Sequence, residues 1–363
     1  MPAAPTPLPR VHLVESGAPP LRRPDNGTAA KVAFLRRPDA YPDRPAEVRA
    51  IETHMSWVFL AGAAVYKLKK PVRYSYLDFS TLPARSRYCS EEIRLNRRLA
   101  PGTYLGKQAL TRTPEGGFRL GGRGPAVDWL VKMRRLPEER MLDRLIRDGK
   151  LESRDLARLA TVLTRFYRRA RPLDWSPGVY ALRLRQSLEA NAAALLSSRY
   201  GLPAAPIRQV LAAQRRFAAE GAAILEARMA AGRVVDGHGD LRPEHVCLER
   251  RPVIIDCLEF NADMRVVDPA DELGFLALEC ERLGDAAAGD ALLDFYARLS
   301  GDAPPPGLVA FYKSCRACLR AKLAVWHLDD GDQPDPEKWR SLALDYLLLA
   351  EKYTACFSPP AGP

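Results

Sequence analysis

One segment of the sequence combines imidazole and carboxylate side chains at a spacing that suits phosphoryl transfer. It reads His238-Gly-Asp240-Leu-Arg-Pro-Glu-His245, and Ile-Ile-Asp256 follows shortly after it. Phosphoryl transfer needs little covalent help from a protein, because it depends on a positioned acceptor, metal ions and cations on the phosphates. One aspartate orients the acceptor hydroxyl and accepts its proton, while a second carboxylate holds Mg²⁺ between the phosphates. Asp240 and Asp256 suit these two roles, and His238 would fix the backbone of the loop beneath Asp240.

A short hairpin is predicted to bring the two aspartates together. The apolar stretches 246–248 and 252–255 flank the polar turn 249–251, a pattern typical of two paired strands. Asp240 would lie in the loop before this hairpin, and Asp256 would lie where its second strand ends. Both carboxylates would then face the same site.

The first half of the chain predicts a small, mainly antiparallel sheet that carries one helix. Alternating residues over 57–60 and 64–69 predict a hairpin with a Gly-containing turn, and 104–112 and 126–133 predict two further strands. Apolar residues at helical spacing predict the helix over 83–99.

The second half of the chain is predicted to be helical beyond Pro137. The predicted helices cover 153–170, 178–198, 204–231, 270–283, 286–299, 306–328 and 337–356, with Ser153 as the expected cap of the first. The expected organisation is a disordered Pro-rich leader (1–30), a small lobe (31–133), a helical lobe that carries both aspartate loops (134–357) and a tail (358–363).

These motifs resemble the catalytic and metal loops of the aminoglycoside phosphotransferase superfamily, which includes choline and fructosamine kinases. Asp268-Pro-Ala-Asp-Glu272-Leu-Gly is similar to a further signature of that family, Asp-Pro-x-x-Asp-Leu-Ala. The segments 53–71 and 91–101 look like those of an uncharacterised bacterial branch. The resemblance covers about residues 40–355, and it implies a two-lobed, α+β protein kinase-like fold with a small antiparallel-sheet N-lobe and a mainly helical C-lobe.

Members of this branch often carry a C-terminal P-loop ATPase domain. The sequence contains no Gly-x-x-x-x-Gly-Lys-Ser/Thr motif. We therefore expect that domain to be absent here, with a separate P-loop ATPase as an open possibility for a partner.

The resemblance implies a role for each matching residue. Asp240 would be the catalytic base and Asp256 the Mg²⁺ ligand. Lys67 would contact the α- and β-phosphates of ATP and pair with Glu92 of the following helix. Lys69, on the same strand face as Lys67, is the weaker alternative to it.

Several further roles follow from the resemblance. Glu91 is the alternative to Glu92 as the helix carboxylate, although Glu92 better matches the frame of the apolar positions that follow. The segment 129–136, including Met133 and Arg134, would form the hinge whose backbone meets the adenine. Glu272 would support the catalytic loop from beneath without touching the substrate.

Two departures from the family pattern affect how phosphate would be held. His245 stands where the family usually has a metal-binding asparagine. It is the candidate second metal ligand, since a neutral imidazole can ligate a divalent ion, although Mg²⁺ prefers oxygen ligands. Either the second ion is held differently, for example with help from Glu259, or His245 contacts phosphate. In the expected phosphate loop, Thr53, His54 and Ser56 replace the usual glycines. Backbone amides and hydroxyl groups would then cradle the phosphates.

Composition and charge narrow the class of protein. The net charge is +11, but basic residues are interleaved with acidic ones, which argues against nucleic-acid binding. Seven cysteines without regular spacing, no secretory signal and no long apolar stretch indicate a cytoplasmic protein outside the membrane. On the predicted helix 306–328, Lys313, Arg316, Arg320 and Lys322 form either a solvated face or a receptor for an anionic substrate.

The sequence therefore predicts a small-molecule kinase that transfers the γ-phosphoryl group of ATP to a hydroxyl group with Mg²⁺, or Mn²⁺, as cofactor. Two alternatives stay open. One is nucleotidyl transfer on the same fold, for which the altered phosphate loop and His245 leave room. The other is a nucleotide-binding pseudokinase, against which the intact set of Asp240, Asp256 and Lys67 argues.

Overall fold

The structure is a computed structural model that describes residues 26–74, 77–173, 175, 176, 178–329 and 335–357. Its strands are β1 (Val48–Glu52), β2 (Ser56–Ala61), β3 (Ala64–Lys69), β4 (Arg73–Tyr74), β5 (Leu77–Asp78), β6 (Tyr104–Arg112), β7 (Phe118–Leu120), β8 (Ala126–Arg134), β9 (Val235–Asp236), β10 (Val246–Cys247), β11 (Val253–Ile254) and β12 (Val266–Val267). Its α-helices are α1 (Asn26–Leu35), α2 (Leu82–Asn96), α3 (Leu142–Arg147), α4 (Ser153–Arg169), α5 (Val179–Leu195), α6 (Ala204–Glu220), α7 (Ala222–Ala230), α8 (Pro269–Arg282), α9 (Ala286–Ser300), α10 (Pro306–Trp326) and α11 (Pro336–Thr354).

Six strands of the first half form one antiparallel sheet in the order β1-β2-β3-β8-β6-β7. The predicted hairpin is present as β2 and β3, and its turn uses Gly62 at a φ of 60°, where a glycine avoids the strain that a side chain would bring. In the centre of the sheet, Lys67 lies opposite Val58 of β2 and Val131 of β8. Since side chains alternate along a strand, Lys67 and Lys69 project from the same face.

Helix α2 packs on this sheet and links it to the helical half of the chain. Thr81 caps its N-terminus by accepting a hydrogen bond from the amide of Ala84 at 3.2 Å. Cys89 and Ile93 of α2 share one apolar cluster with Cys247 and Val253 of the β10–β11 hairpin. This shared core fixes the sheet relative to the two aspartate loops.

The helical half surrounds α8, which is buried over most of its length. Asp268 caps α8 through the amide of Ala270 at 2.9 Å, and Arg228 of α7 donates to the same carboxylate at 2.8 and 2.6 Å. The predicted hairpin after Asp240 is present, with Val246 opposite Ile254 and Cys247 opposite Val253.

Several predicted boundaries are wrong. Ser153 is the first residue of α4 and not its cap, which is Glu152 without a side-chain hydrogen bond. The predicted helix 204–231 is two helices, because it breaks at Gly221, where a Cβ atom would lie 2.8 Å from the carbonyl oxygen of Phe217. Helix α2 ends at Asn96, three residues before the predicted end. Helix α1 begins at Asn26, inside the predicted leader. Residues 1–25 of that leader lie outside the described ranges, as does the whole predicted tail.

No helix in the described parts of the chain is long and apolar enough to cross a membrane.

Candidate active site

A cavity of about 1480 Å³ lies between the sheet and the helical half of the chain. At one end it is lined by Lys67, Asp240 and Asp256, which sequence reasoning had assigned to the site. At the other end, helices α5 and α10 provide the walls. We call these the nucleotide end and the acceptor end, after the roles that the family resemblance implies for them.

His238 supports the catalytic loop from below and does not line the cavity. Its ring is fully buried, with Nε2 2.9 Å from the carbonyl oxygen of Ile255 and Nδ1 3.3 Å from the amide of Asp240. A carbonyl only accepts and an amide N–H only donates, so these contacts define a neutral ring that carries its hydrogen on Nε2. Burial lowers the pKa of His238 to about 4, which keeps the ring neutral. His238 therefore positions Asp240, as the sequence had indicated.

Glu272 holds the same loop from the side of α8. Its carboxylate accepts hydrogen bonds from the amides of His238 at 2.9 Å and Gly239 at 2.6 Å, and from the hydroxyl of Tyr167 at 2.8 Å. The backbone of Gly239 has a φ of 88°, and a Cβ atom there would meet the carbonyl oxygen of Met264 at 2.9 Å. Only glycine fits this position without strain.

Asp240 presents one carboxylate oxygen to the cavity. Its side chain is 25% exposed, and Oδ2 accepts a hydrogen bond from Nε of Arg242 at 3.1 Å. No described residue donates a hydrogen bond to Oδ1. Burial by itself raises the pKa of Asp240, but the positive charge of Arg242 and other nearby basic groups outweighs it, and the net shift is downward. Asp240 is therefore ionised at neutral pH, with one oxygen free to accept a proton.

Asp256 has a strained backbone that side chains of the first half hold in place. Its φ is 63°, in the left-handed region that few residues other than glycine adopt. The amide of Asp256 donates to the hydroxyl of Tyr104 at 3.1 Å, and the next amide, of Cys257, donates to Oδ1 of Asn96 at 2.9 Å. These bonds turn the carboxylate, whose side chain is 44% exposed, towards the cavity.

Two lysines of β3 and three carboxylates form a buried ionic network at the nucleotide end. Nζ of Lys67 lies 2.5 Å from Asp256 and 3.1 Å from Glu92, while Nζ of Lys69 lies 2.5 Å from Glu92 and also pairs with Glu259. Burial by itself raises the pKa of Asp256, but Lys67 brings it far below its usual range.

The network assigns separate partners to the two lysines. Lys67 contacts Glu92, the partner expected from the sequence, and also Asp256, whereas Lys69 shares only Glu92 with it. Glu259, which we had considered as help for a second metal ion, is instead bound to Lys69. Glu91 points away from the site and pairs with Arg94 at 2.7 Å, so Glu92 is the helix carboxylate of the network.

His245 lies between the two aspartates. Its Nδ1 is 2.8 Å from the backbone carbonyl oxygen of Asp240 and so carries the hydrogen when the ring is neutral. The other nitrogen, Nε2, then has the lone pair, which accepts a hydrogen bond from Nη2 of Arg242 at 3.3 Å. The same nitrogen lies 3.6 Å from Oδ2 of Asp256.

The predicted phosphate turn lies between β1 and β2 and lines the cavity. The amide of Thr53 donates to the carbonyl of Ser56 at 2.8 Å, and the amide of Ser56 donates to the hydroxyl of Thr53 at 3.0 Å. These two amides are therefore already used within the turn. The ring of His54 stacks on Tyr74 with centroids 5.2 Å apart and meets the edge of His327, which follows α10, at 5.6 Å.

The predicted hinge also lines the cavity. Met133 is buried there, and the guanidinium of Arg134 makes two hydrogen bonds of 2.8 Å to the carboxylate of Glu249. This pair joins the end of β8 to the turn of the β10–β11 hairpin. The contact between the hinge backbone and adenine stays a prediction.

Sequence reasoning missed four side chains that hold the site together. Tyr104 and Asn96 position the loop of Asp256, Arg242 binds Asp240, and Arg98 donates to the carbonyls of Asp236 and Gly237 at 2.9 and 2.8 Å. Asn96 had a signal in the sequence, because it follows Glu92 by one helical turn and so shares its buried face.

The four cations of α10 do not form a solvated face, so that interpretation is wrong. Lys313 and Lys322 are 6% and 5% exposed, and only Arg316, Arg320 and Lys322 of the four line the cavity. Arg316 binds Asp271 at 2.8 and 2.6 Å, and Arg320 lies 3.3 Å from Glu279. Both predicted substrate residues are therefore paired within the protein.

Residues 127–309 match the model of the phosphotransferase enzyme family. The matched segment runs from the last strand of the sheet into α10 and contains both aspartate loops. The chain belongs to this family.

Similar proteins agree with this assignment. An uncharacterised protein of Mycobacterium tuberculosis is 34% identical over 327 residues, an alignment that covers 87% of this chain and 61% of that protein. The chain thus spans about three fifths of the length of the curated relatives it matches.

Among solved structures, a choline kinase of Cryptosporidium parvum superposes with a TM-score of 0.50 at 9% identity and covers 90% of this chain and 96% of its own. A choline/ethanolamine kinase family protein of Mesorhizobium loti reaches 0.48 at 16% identity, covering 91% and 95%. At this level of identity the first of these likenesses shows the fold, and the predicted kinase-like fold is confirmed.

Proposed function

We propose that the protein is a small-molecule kinase that transfers the γ-phosphoryl group of ATP to a hydroxyl group, with Mg²⁺ or Mn²⁺ as cofactor. The observation that carries the proposal is the ion pair of 2.5 Å between Lys67 and Asp256, residues 189 positions apart, beside the free oxygen of Asp240. A cation for phosphate, a carboxylate for metal and a carboxylate for the acceptor thereby share one cavity.

Asp240 would act on the acceptor. Its unbonded Oδ1 would accept a hydrogen bond from the acceptor hydroxyl and take its proton as the oxygen attacks phosphorus. Arg242 on Oδ2 keeps the carboxylate ionised and fixes its orientation. His238 and Glu272 hold the loop, so little reorganisation is needed when the acceptor binds.

The residues at the nucleotide end fit a divalent cation bound together with nucleotide. Asp256 offers Oδ2, and His245 would offer Nε2 in place of its hydrogen bond from Arg242. No cluster of three or more His, Cys, Asp or Glu side chains in the described ranges would hold a metal ion alone. Kinase sites usually supply one or two protein ligands and leave the rest to phosphate oxygens and water. When bound, the cation would neutralise charge on the phosphates. An imidazole ligand is more favourable for Mn²⁺ than for Mg²⁺.

Lys67 would align the phosphates. Glu92 and Asp256 hold its ammonium group in place before any ligand arrives. The pKa of Lys67 is well above its usual value, because these carboxylates outweigh the opposing effect of burial. The lysine is therefore charged at any pH at which the enzyme would work.

The test separates phosphoryl from nucleotidyl transfer. Purified protein is incubated with Mg²⁺ or Mn²⁺, pools of hydroxyl compounds and ATP labelled at either the α- or the γ-phosphate. We expect the γ-label in the product and ADP as the second product. Transfer of the α-label with release of pyrophosphate would instead support the nucleotidyl transferase.

A matched pair of variants tests the nucleotide end. Asp256→Asn should abolish the dependence of nucleotide affinity on the divalent cation, measured by calorimetry. Asp143→Asn, an aspartate that pairs with Arg147 at 2.5 Å and does not line the cavity, should retain it. If the wild type binds no nucleotide with either cation, the proposed function is wrong.

A further inference from the structure

We infer that the acceptor carries an anionic group, a carboxylate or a phosphate, which binds to Lys322 at the acceptor end of the cavity. This inference rests on the proposed function, since it names the class of molecule whose hydroxyl would be phosphorylated. It follows from one buried cation, from the pairing of the carboxylates around it and from the shape of the walls.

Lys322 is a buried cation without a counter-ion among the described residues. It is 5% exposed and lines the cavity, yet it makes no hydrogen bond or ion pair with any residue in the described ranges. Its Nζ lies 5.2 Å from the centroid of the Trp326 ring. Burying an ammonium group without a counter-ion is costly, and proteins usually pair such groups. Burial lowers the pKa of Lys322 to about 8.

The carboxylates at this end are already neutralised. Asp271 is bound by Arg316 at 2.8 and 2.6 Å, Asp263 lies 3.3 Å from Arg183, and Glu189 is bound by Arg215 at 2.8 and 2.6 Å. Glu244, near the catalytic loop, is bound by Arg242 at 2.5 Å. A cationic acceptor would have to break one of these pairs, whereas an anionic acceptor would supply a counter-ion for Lys322.

The position of Lys322 suits a small molecule that also reaches Asp240. Arg320, two residues earlier on α10, is close enough to Asp240 for its charge to help lower the pKa of that carboxyl group. Lys322 and Asp240 line the same cavity, so one acceptor can present its hydroxyl to Asp240 and its anionic group to Lys322.

The walls beside Lys322 are apolar. Leu319, Leu323 and Trp326 lie on the same side of α10, and Ala190 and Ala193 of α5 also line the cavity. The acceptor would thus join a hydroxyl group and an anionic group through a largely apolar part.

The activity test compares acceptors of three charge classes: hydroxy acids and sugar phosphates, neutral polyols, and amino alcohols. Wild type is compared with Lys322→Met, which keeps the length of the side chain, with Lys322→Arg, which keeps the charge, and with the control Lys313→Met. Lys313 is equally buried on the same helix but contacts the hydroxyl of Tyr353 at 3.2 Å and does not line the cavity.

We expect transfer to an anionic acceptor. Lys322→Met should raise its KM about tenfold or more with kcat within about threefold, because the lysine binds the acceptor away from the reacting atoms. Lys322→Arg should retain part of the affinity. Lys313→Met should have the wild-type KM for the acceptor, and the KM for ATP should be the same in all variants. Transfer to neutral or cationic acceptors, or an unchanged KM in Lys322→Met, would overturn the inference and leave the proposed function standing.

A binding test decides the inference even if no transfer is found. Inorganic sulfate is titrated against the melting temperature of wild type, Lys322→Met and Lys313→Met in the presence of saturating ADP. We expect a saturable stabilisation that Lys322→Met lacks and Lys313→Met keeps. If sulfate stabilises wild type and Lys322→Met to the same extent, no anion binds at Lys322 and the inference is wrong.

Discussion

The buried cations at the two ends of the cavity differ in whether they are paired with carboxylates. At the nucleotide end Lys69 is 1% exposed and shares Glu92 with Lys67, so both lysines are paired before any ligand binds. At the acceptor end Lys322 is buried almost as deeply and has no counter-ion among the described residues.

This difference indicates two ways of preparing a site. A fully paired network fixes the direction of its charges, which favours preorganised electrostatic stabilisation of phosphates. An unpaired cation is held at the expense of folding stability and retains its attraction for an incoming anion. In the proposed kinase, the first arrangement would provide orientation for the reaction, and the second would provide selectivity for the acceptor.

The largest effect is expected where the two ends meet, at Asp240. Asp240→Asn should lower kcat by about 10²- to 10⁴-fold, the usual contribution of a general base, in a labelled-ATP transfer assay. Nucleotide affinity should be unchanged, because the nucleotide end remains paired. Asp143→Asn, which pairs with Arg147 outside the cavity, is the control and should retain full activity. If Asp240→Asn has the wild-type kcat, Asp240 is not the general base.

Breaking the paired end tests how strongly its charges depend on each other. Glu92→Gln removes the carboxylate that the two buried ammonium groups share. The free energy of unfolding in urea should therefore fall by roughly 3–5 kcal/mol. Glu91→Gln, at the exposed neighbour that pairs with Arg94, should change it by less than about 0.5 kcal/mol. Equal losses in the two variants would mean that the network does not stabilise the fold.

Removing the unpaired charge should stabilise the protein, whereas Glu92→Gln should destabilise it. Lys322→Met should raise the free energy of unfolding at pH 7 by roughly 3 kcal/mol, because the buried ammonium group is destabilising there. Lys322 has a folded-state pKa of about 8 against an ordinary 10.5, so between these values the unfolded chain binds more protons. Wild-type stability attributable to this group therefore rises with pH over that interval.

The advantage of Lys322→Met should accordingly shrink between about pH 8 and 10.5. Urea unfolding of both proteins at several pH values measures it. A variant that is less stable than wild type at pH 7 would show that Lys322 has a stabilising partner.

The smallest effect concerns the backbone of Asp256. Tyr104→Phe removes the hydroxyl that accepts the amide of Asp256, which should lower the free energy of unfolding by about 1 kcal/mol. It should also weaken binding of ADP with Mg²⁺ about threefold, measured by calorimetry. Tyr41→Phe is the control, since its hydroxyl donates to the carbonyl of Leu35 away from the cavity. If both variants weaken ADP binding equally, Tyr104 has no particular role in the metal loop.

Much of the fold could be predicted from local patterns. The strand 104–112 was predicted with its observed bounds, and the β2–β3 hairpin and the β10–β11 hairpin were both found. Periodicity predicts the ends of helices less well than their existence, because capping and local steric contacts determine where a helix ends. The break at Gly221 depends on the carbonyl of Phe217, and the end of α2 at Asn96 depends on contacts with the metal loop.

The family resemblance carried by His238, Asp240 and Asp256 predicted the kinase-like fold, and the alternation along β3 placed Lys67 and Lys69 on one face. These are relations between near neighbours in the chain, which the geometry of loops and strands converts directly into shared faces. The pairing of Lys67 with Asp256, the attachment of Glu259 to Lys69 and the lack of a counter-ion for Lys322 among the described residues needed the folded chain. Each of these depends on which distant side chains the packing brings within reach of a charge, and no local pattern encodes that.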